Sequence, residues 1–104
     1  MKRCLVLASL LLTGAASPAA RADVDRARLA DLVTQDCGSC HGLTLRGGLG
    51  RPLTVEALAH FPVETVRDII LDGLPGTPMP PWRPLLSVEE ASAIADMLKR
   101  GDAK

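Results

Sequence analysis

The pentapeptide Cys37-Gly38-Ser39-Cys40-His41 places two thiols and one imidazole on a single short turn. This spacing is typical of a covalent attachment site for c-type haem. In such a site the two thiols add across the two vinyl groups of the haem, and the histidine that follows ligates the iron. The small residues Gly38 and Ser39 let the backbone lie close to the porphyrin edge. We therefore expect the rest of the chain to be built around this pentapeptide.

Two other chemistries use closely spaced cysteines. A thioredoxin-type redox pair follows a strand in a βαβ context, and no convincing strand precedes Cys37. A structural zinc site needs four ligands, and His60 is the one further cysteine or histidine that follows the motif. His60 lies between two predicted helices, where a polar surface or capping role is more common than metal ligation. The spacing favours haem but leaves both alternatives open.

Residues 1–22 have the features of a secretory signal peptide. A basic start is followed by an apolar run over residues 5–12, and Ala20-Arg21-Ala22 matches a small-x-small cleavage site. The apolar run is too short to span a bilayer, so we expect cleavage and no stable membrane insertion afterwards. The mature domain, residues 23–104, would then function in the periplasm without Cys4.

The bulk properties of the mature chain narrow its function. The full chain has 104 residues, with 12 basic and 12 acidic side chains. Cleavage after Ala22 removes three basic residues and no acidic one, which leaves a net charge of −3 and argues against a nucleic-acid partner. A domain of about 80 residues buries only roughly 60–65% of its unfolded surface, and its aromatics are Phe61 and Trp82. An apolar haem would supply the missing interior.

Helical periodicity recurs along the mature chain, and no segment has a convincing strand pattern. Thr54 is a candidate N-cap, Ser87 and Glu90 form a capping box, and Gly73 and Gly101 are stop signals. The predicted helices cover residues 24–36, 55–60, 62–72 and 88–100.

Two segments are predicted to be loops. Residues 42–52 contain four glycines and a proline, so we expect an irregular loop that approaches the cofactor closely. Residues 74–86 contain five prolines, which prevent a continuous helix. Met79 lies between two of them, where there is little core to fill, and its thioether is a soft ligand for iron. We predict Met79 as the distal ligand and assign its rival, Met97, to helix packing.

These features together resemble the small class I cytochromes c. The resemblance covers residues 23–101: a helix that enters the haem motif, a glycine loop, a methionine 38 residues after His41, and a closing helix. More narrowly, residues 37–50 taken with residues 72–82 are similar to the cytochrome c55X family of denitrifying bacteria.

The resemblance implies an all-α fold of about four helices around one covalent haem c. Cys37 and Cys40 would carry the haem, His41 and Met79 would be its axial ligands, and the first and last helices would cross. It also implies that the carbonyl of Pro52 accepts the other ring proton of the histidine.

Trp82 and Arg83 follow the predicted iron ligand. They are candidates to hydrogen-bond or pair with haem propionates. The alternative is that Trp82 merely covers the haem edge.

The resemblance further implies a periplasmic electron carrier rather than an enzyme, and we expect a monomer. Its redox partner would be the periplasmic nitrite reductase that carries c-type and d-type haems. The carrier would act as electron donor or in maturation of the d-type haem. Two alternatives remain open: a haem-dependent, peroxidase-like enzyme, and a module that binds haem or its precursor for a partner.

Overall fold

The computed structural model describes Gly14 and residues 24–103. Apart from Gly14, the predicted signal peptide, residues 1–22, lies outside the part described. The regular secondary structure of residues 24–103 is entirely helical, with no strand, which confirms the predicted all-α class. In chain order the elements are α1 (Arg26–Leu32), a π-helical turn (Val33–Cys37), α2 (Gly38–His41), α3 (Val55–Leu58), α4 (Val63–Asp72) and α5 (Val88–Arg100).

The last helix begins and ends as its sequence predicts. The hydroxyl of Ser87 accepts from the amide of Glu90, and the Glu90 carboxylate accepts from the amide of Ser87, each at 3.0 Å. This reciprocal pair is the capping box. At the other end Gly101 adopts a left-handed φ of 73°, and the amide of Asp102 donates to the carbonyl of Met97 at 3.0 Å. The turn satisfies carbonyls that the helix leaves without partners.

The helix that leads into the haem motif differs from the prediction. An α-helix was expected over residues 24–36, but the chain changes to a π turn at Val33. The amide of Gly38 donates to the carbonyl of Val33, five residues earlier. This wider turn keeps the Val33 side chain fully buried and leaves Cys37 half-buried and Cys40 exposed. Such turns are single-turn interruptions of α-helices and recur at functional sites.

The first and last helices pack against each other, as the resemblance implied. Leu29 and Val33 share the hydrophobic core with Ile94 and Leu98, and all four are buried. Leu32 is half-buried at the edge of this contact. The crossing fixes the position of the haem motif, which follows directly from the first helix.

Side-chain contacts also connect α1 and the end of α3 to α5. Arg28 on α1 forms an ion pair with Glu90 on α5. The ammonium of Lys99 donates to the carbonyl of Leu58 at 2.9 Å and also to that of Phe61, so it satisfies carbonyls at the end of α3.

No helix in the described part of the chain is long and apolar enough to cross a membrane. The rest of the core consists of Leu58, Val66, Ile70, Leu71, Leu86, Ala91, Ala95, Met97 and Ala103.

Candidate haem-binding site

Cys37 and Cys40 are free thiols three residues apart on one helical segment, and residues at that spacing lie on the same face. Burial, reinforced by the negative charge of Asp36, raises the pKa of the Cys37 thiol to about 11. Redox-active cysteines work with a lowered thiol pKa. The surroundings of Cys37 therefore disfavour thioredoxin-type chemistry, while the two free sulfurs suit attachment to one shared group.

The zinc alternative finds no support in the described residues. Among residues 24–103, no three or more histidine, cysteine, aspartate or glutamate side chains converge as a metal site requires. His60 is exposed in the turn that follows α3. The motif therefore lacks the additional ligands that a structural zinc ion needs.

The ring of His41 is oriented by a backbone hydrogen bond. Its Nδ1 lies 2.6 Å from the carbonyl oxygen of Arg51. The carbonyl can only accept, so Nδ1–H donates and Nε2 is left to ligate a metal. The prediction that Pro52 supplies this carbonyl is wrong by one residue. Proline restricts the preceding residue to extended conformations, so Pro52 acts by shaping the backbone at Arg51.

Residues 42–54, here called the glycine loop, pack against the motif through their backbone. The amide of Gly50 donates to the carbonyl of Cys40, and that of Gly47 donates to the carbonyl of His41, both at 2.8 Å. A Cβ on Gly50 would lie 2.8 Å from Nδ1 and Cε1 of His41. No side chain fits there, so glycine is required for the loop to hold the imidazole this closely.

The loop that carries Met79 is held by hydrogen bonds of its backbone and of the Thr77 side chain. The hydroxyl of Thr77 donates to the carbonyl of Leu74 at 2.6 Å and accepts from the amide of Met79 at 3.3 Å. Gly73 has a φ of 70°, and a Cβ there would lie 2.7 Å from the carbonyl oxygen of Met79. The Met79 side chain is half-buried, so its thioether is not committed to the core.

Met97 has the opposite environment. Its side chain is 2% exposed and belongs to the hydrophobic core between the helices. A methionine packed on all sides is ordinary core filling. Met97 is therefore in the position expected of a packing residue, and Met79 remains the predicted ligand.

Trp82 and Arg83 follow Met79 in residues 74–86, here called the methionine loop. Trp82 is half-buried against the core, and its amide donates to the carbonyl of Ile70 at 3.0 Å. The guanidinium of Arg83 pairs with the carboxylate of Asp72 at 2.8 Å. Arg83 thus already has an anionic partner on the protein surface, so its proposed pairing with a propionate would compete with Asp72.

A shallow cleft of about 170 Å³ lies between the glycine loop, α3 and the end of α5. Its walls include Leu45, Leu53, Val55, Leu98 and Gly101. None of the cysteines, the motif histidine or Met79 lines it. The cleft is therefore separate from the predicted ligands of the iron.

The available donors fit a haem. Cys37 and Cys40 are unbonded thiols, and Met79 offers a thioether. The lone pair on Nε2 of His41 is available because Nδ1 carries the ring proton that it donates to Arg51. These are the groups that bind c-type haem covalently and on both axial sides. Helices that enclose such a motif define a c-type cytochrome domain.

Comparisons with known proteins identify its relatives. Residues 24–98 match the family described as cytochrome c oxidase, cbb3-type, subunit III. A cytochrome c55X of Paracoccus denitrificans (strain Pd 1222) is 52% identical over 100 residues, which cover 96% of this chain and 95% of the relative. The chain therefore belongs to the cytochrome c55X family. It binds haem c and is an electron carrier.

Two further likenesses support this family. The solved structure of the c-type cytochrome NirC superimposes with a TM-score of 0.73 at 51% identity, over 75% of this chain and 92% of that one. A dihydro-heme d1 dehydrogenase of Pseudomonas aeruginosa is 33% identical over 92% of this chain, yet the match covers only 18% of the dehydrogenase. This chain thus corresponds to one part of that longer enzyme.

Proposed function

We propose that the chain carries a single haem c, bound through thioether bonds to Cys37 and Cys40 and ligated axially by His41 and Met79. Support comes from the two free thiols and from the hydrogen bond between Nδ1 of His41 and the carbonyl of Arg51. That bond is the single observation that carries the proposal, because it fixes both the tautomer and the direction of the imidazole. Trp82 and Arg83 are further proposed to contact the propionates.

The protein's task in electron transfer is to keep the iron ligands in place. When bound, the haem supplies a one-electron couple, and methionine opposite histidine favours its reduced state. The Arg51 carbonyl and the backbone of Gly50 hold the imidazole against rotation. The prolines beside Met79, with the hydroxyl of Thr77, limit movement of the thioether. Fixed ligands on both sides keep the rearrangement between oxidation states small.

A peroxidase-like function would require a distal position that opens. It predicts a high-spin, five-coordinate ferric spectrum that changes at once with peroxide or cyanide. The carrier predicts a low-spin, six-coordinate ferric spectrum that does not change at once when either is added. The visible spectrum of the purified holoprotein therefore separates the two.

We further propose that residues 1–22 are removed on export, and that the domain over residues 23–104 functions as a periplasmic monomer. The basic start, the apolar run and the small-x-small site support export. Amino-terminal sequencing of the periplasmic protein should begin at Asp23, and sedimentation should give the mass of one chain.

The proposed partner is the periplasmic nitrite reductase with c-type and d-type haems. The family membership supports this, and so does the likeness to a dihydro-heme d1 dehydrogenase, which joins a domain similar to this chain to a much longer enzyme. The role is electron donation to the reductase or electron transfer during maturation of its d-type haem.

Stopped-flow mixing tests both roles. As a donor, the reduced protein should be oxidised by nitrite reductase in a second-order reaction. In maturation, the oxidised protein should instead be reduced by the dehydrogenase while that enzyme oxidises its dihydro-haem substrate. If neither reaction occurs, the proposed partnership with nitrite reductase is refuted.

A precursor-binding module is distinguished by complementation. It predicts that a Met79→Ala variant still restores nitrite reduction to cells that lack this protein. The carrier predicts that the variant fails because its redox chemistry has changed.

A further inference from the structure

The glycine loop, residues 42–54, exposes apolar side chains at its surface. Leu49 is 96% exposed and Leu43 is 73% exposed. The amide of Gly48 donates to the carbonyl of Gly50 at 3.0 Å, which fixes Leu49 at the tip of a tight turn. A Cβ on Gly48 would lie 3.3 Å from the amide nitrogen of Gly42. The backbone at Gly42 therefore lies close to the backbone at Gly48. Leu43 directly follows the first of these glycines, and Leu49 directly follows the second.

One exposed leucine is ordinary on a protein surface. Two exposed leucines that follow neighbouring backbone segments of one loop bring apolar surface together in one region. An apolar patch with a polar rim is typical of a protein–protein contact. The charges around the patch indicate the kind of partner.

The charges of the glycine loop are all positive. Arg46 and Arg51 are exposed, and residues 42–54 contain no acidic side chain. Among residues 24–103, neither arginine forms an ion pair, whereas the other five arginines all pair with carboxylates. The two guanidinium groups of the loop are therefore available to an external anion.

The rest of the domain has the opposite sign. In residues 24–103 every carboxylate lies on the helical segments or immediately beside their ends, and the mature chain has a net charge of −3. A basic loop on an acidic body makes the molecule a dipole. A partner with an acidic surface attracts the loop and repels the helices, so it orients the encounter.

The loop is also bonded directly to the haem motif. The amide of Gly50 donates to the carbonyl of Cys40 at 2.8 Å, and the carbonyl of Arg51 accepts from the ring of His41. A partner that contacts Leu49 would thus lie one residue from the backbone that holds the iron ligand.

We propose that the glycine loop is a docking surface for a redox protein with an acidic rim around an apolar recess. Leu43 and Leu49 would enter the recess, and Arg46 and Arg51 would pair with the rim. This inference rests on the proposed electron-carrier function and specifies the chemistry of its partner.

The electrostatic half is tested without a protein partner. The reduced holoprotein passes one electron to hexacyanoferrate(III), a small trivalent anion, and the rate is followed by stopped flow at several ionic strengths. Arg46→Gln should lower the rate at low salt about three- to tenfold. The matched control is Arg100→Gln, which removes the same charge from α5, where the arginine pairs with Asp96. Equal effects of the two substitutions would overturn the proposal.

The apolar half is tested with nitrite reductase as the oxidant. Leu49→Ser should slow the second-order reaction about tenfold, and the slowing should persist at high salt because it is not electrostatic. The control is Leu85→Ser, which changes a leucine that is 71% exposed outside the loop. Equal rates for the two variants would refute the docking surface while leaving the donor function intact.

Two further outcomes are decisive. If the unaltered protein does not react with the reductase, the donor function fails, and the hexacyanoferrate comparison alone decides the docking proposal. If sedimentation shows a dimer that dissociates in the Leu49→Ser variant, the loop is an interface between copies of this chain. That result would refute the proposal of an acidic partner.

Discussion

The two loops that present the predicted iron ligands are built in different ways. The glycine loop holds His41 through backbone contacts: its carbonyls and amides bond to the motif, and Gly50 touches the ring. The methionine loop is held by its prolines, by the hydroxyl of Thr77 and by backbone hydrogen bonds, but among the described residues no hydrogen bond reaches the Met79 thioether. The glycine loop thus holds the side chain of His41 directly, whereas the methionine loop holds the backbone of Met79 and leaves its side chain without such a bond. We expect the methionine to be the ligand that gives way first.

The largest difference between the loops should come from their glycines. In the glycine loop Gly42 has a φ of 90°, and a Cβ there would lie 2.5 Å from the carbonyl oxygen of Gly47. Gly42→Ala combines strain with a backbone clash, so it should destabilise the holoprotein by more than about 3 kcal/mol. In the methionine loop Gly76 has a φ of 80° with open space around it. Gly76→Ala should cost only about 1 kcal/mol of strain.

Chemical denaturation of the two purified holoproteins measures this difference. Circular dichroism and haem absorbance should report the same midpoints for each variant. Equal loss of stability from the two substitutions would show that the close packing of the glycine loop is not what holds it.

The two methionines should separate stability from ligation. Met97 is buried in the core, so Met97→Ala should lower the free energy of unfolding by about 2–5 kcal/mol through loss of packing. Because Met97 is not a predicted ligand, the visible spectrum of the folded variant should be unchanged. Thermal unfolding followed by far-UV circular dichroism tests the first expectation. Little destabilisation, or a spectrum altered in the fully folded protein, would contradict the assignment of Met97 to packing.

Loosening the methionine loop should have a moderate effect. Thr77→Val removes the hydroxyl that bonds to the carbonyl of Leu74 and to the amide of Met79. One such hydrogen bond is worth about 1 kcal/mol, so cyanide should displace the ligand from the ferric protein roughly five- to tenfold faster. Thr44→Val, at an exposed threonine of the glycine loop, should leave the rate unchanged. Matching rates in the two variants would mean that the hydroxyl does not restrain the methionine.

The smallest effect is expected at the surface of the methionine loop. Arg83 pairs with Asp72, and both side chains are more than half exposed. Exposed ion pairs contribute about 0–1 kcal/mol, so Arg83→Gln should change stability little. Voltammetry provides the second measurement. If Arg83→Gln leaves the reduction potential unchanged, the guanidinium only pairs with Asp72. A clear shift in the potential at constant stability would indicate that the guanidinium contacts a propionate.

Local signals in the sequence predicted much of this fold. The capping box at Ser87 and the stop at Gly101 depend on residues within one helical turn, and the structure has both. The Cys37–His41 motif is equally local. Each of these features follows from side chains and backbone groups that are neighbours in the chain.

The differences arise where distant contacts set the backbone. The π turn begins at Val33, which is fully buried in the core, and helical periodicity does not encode such a turn. The carbonyl that accepts from His41 belongs to Arg51 and not, as the resemblance predicted, to Pro52. Hydrogen bonds within the glycine loop set the position of this carbonyl. Leu45 adopts a φ of 61°, which is unusual for a leucine, and nothing in its local sequence signals it.

Axial ligation by His41 and Met79 is tested most directly by the ferric spectrum of the holoprotein. The unaltered protein should show a methionine-to-iron charge-transfer band. Met79→Ala should abolish that band while the haem remains covalently attached, and Met97→Ala should preserve it. A band that survives in Met79→Ala and disappears in the folded Met97→Ala protein would contradict the proposed coordination.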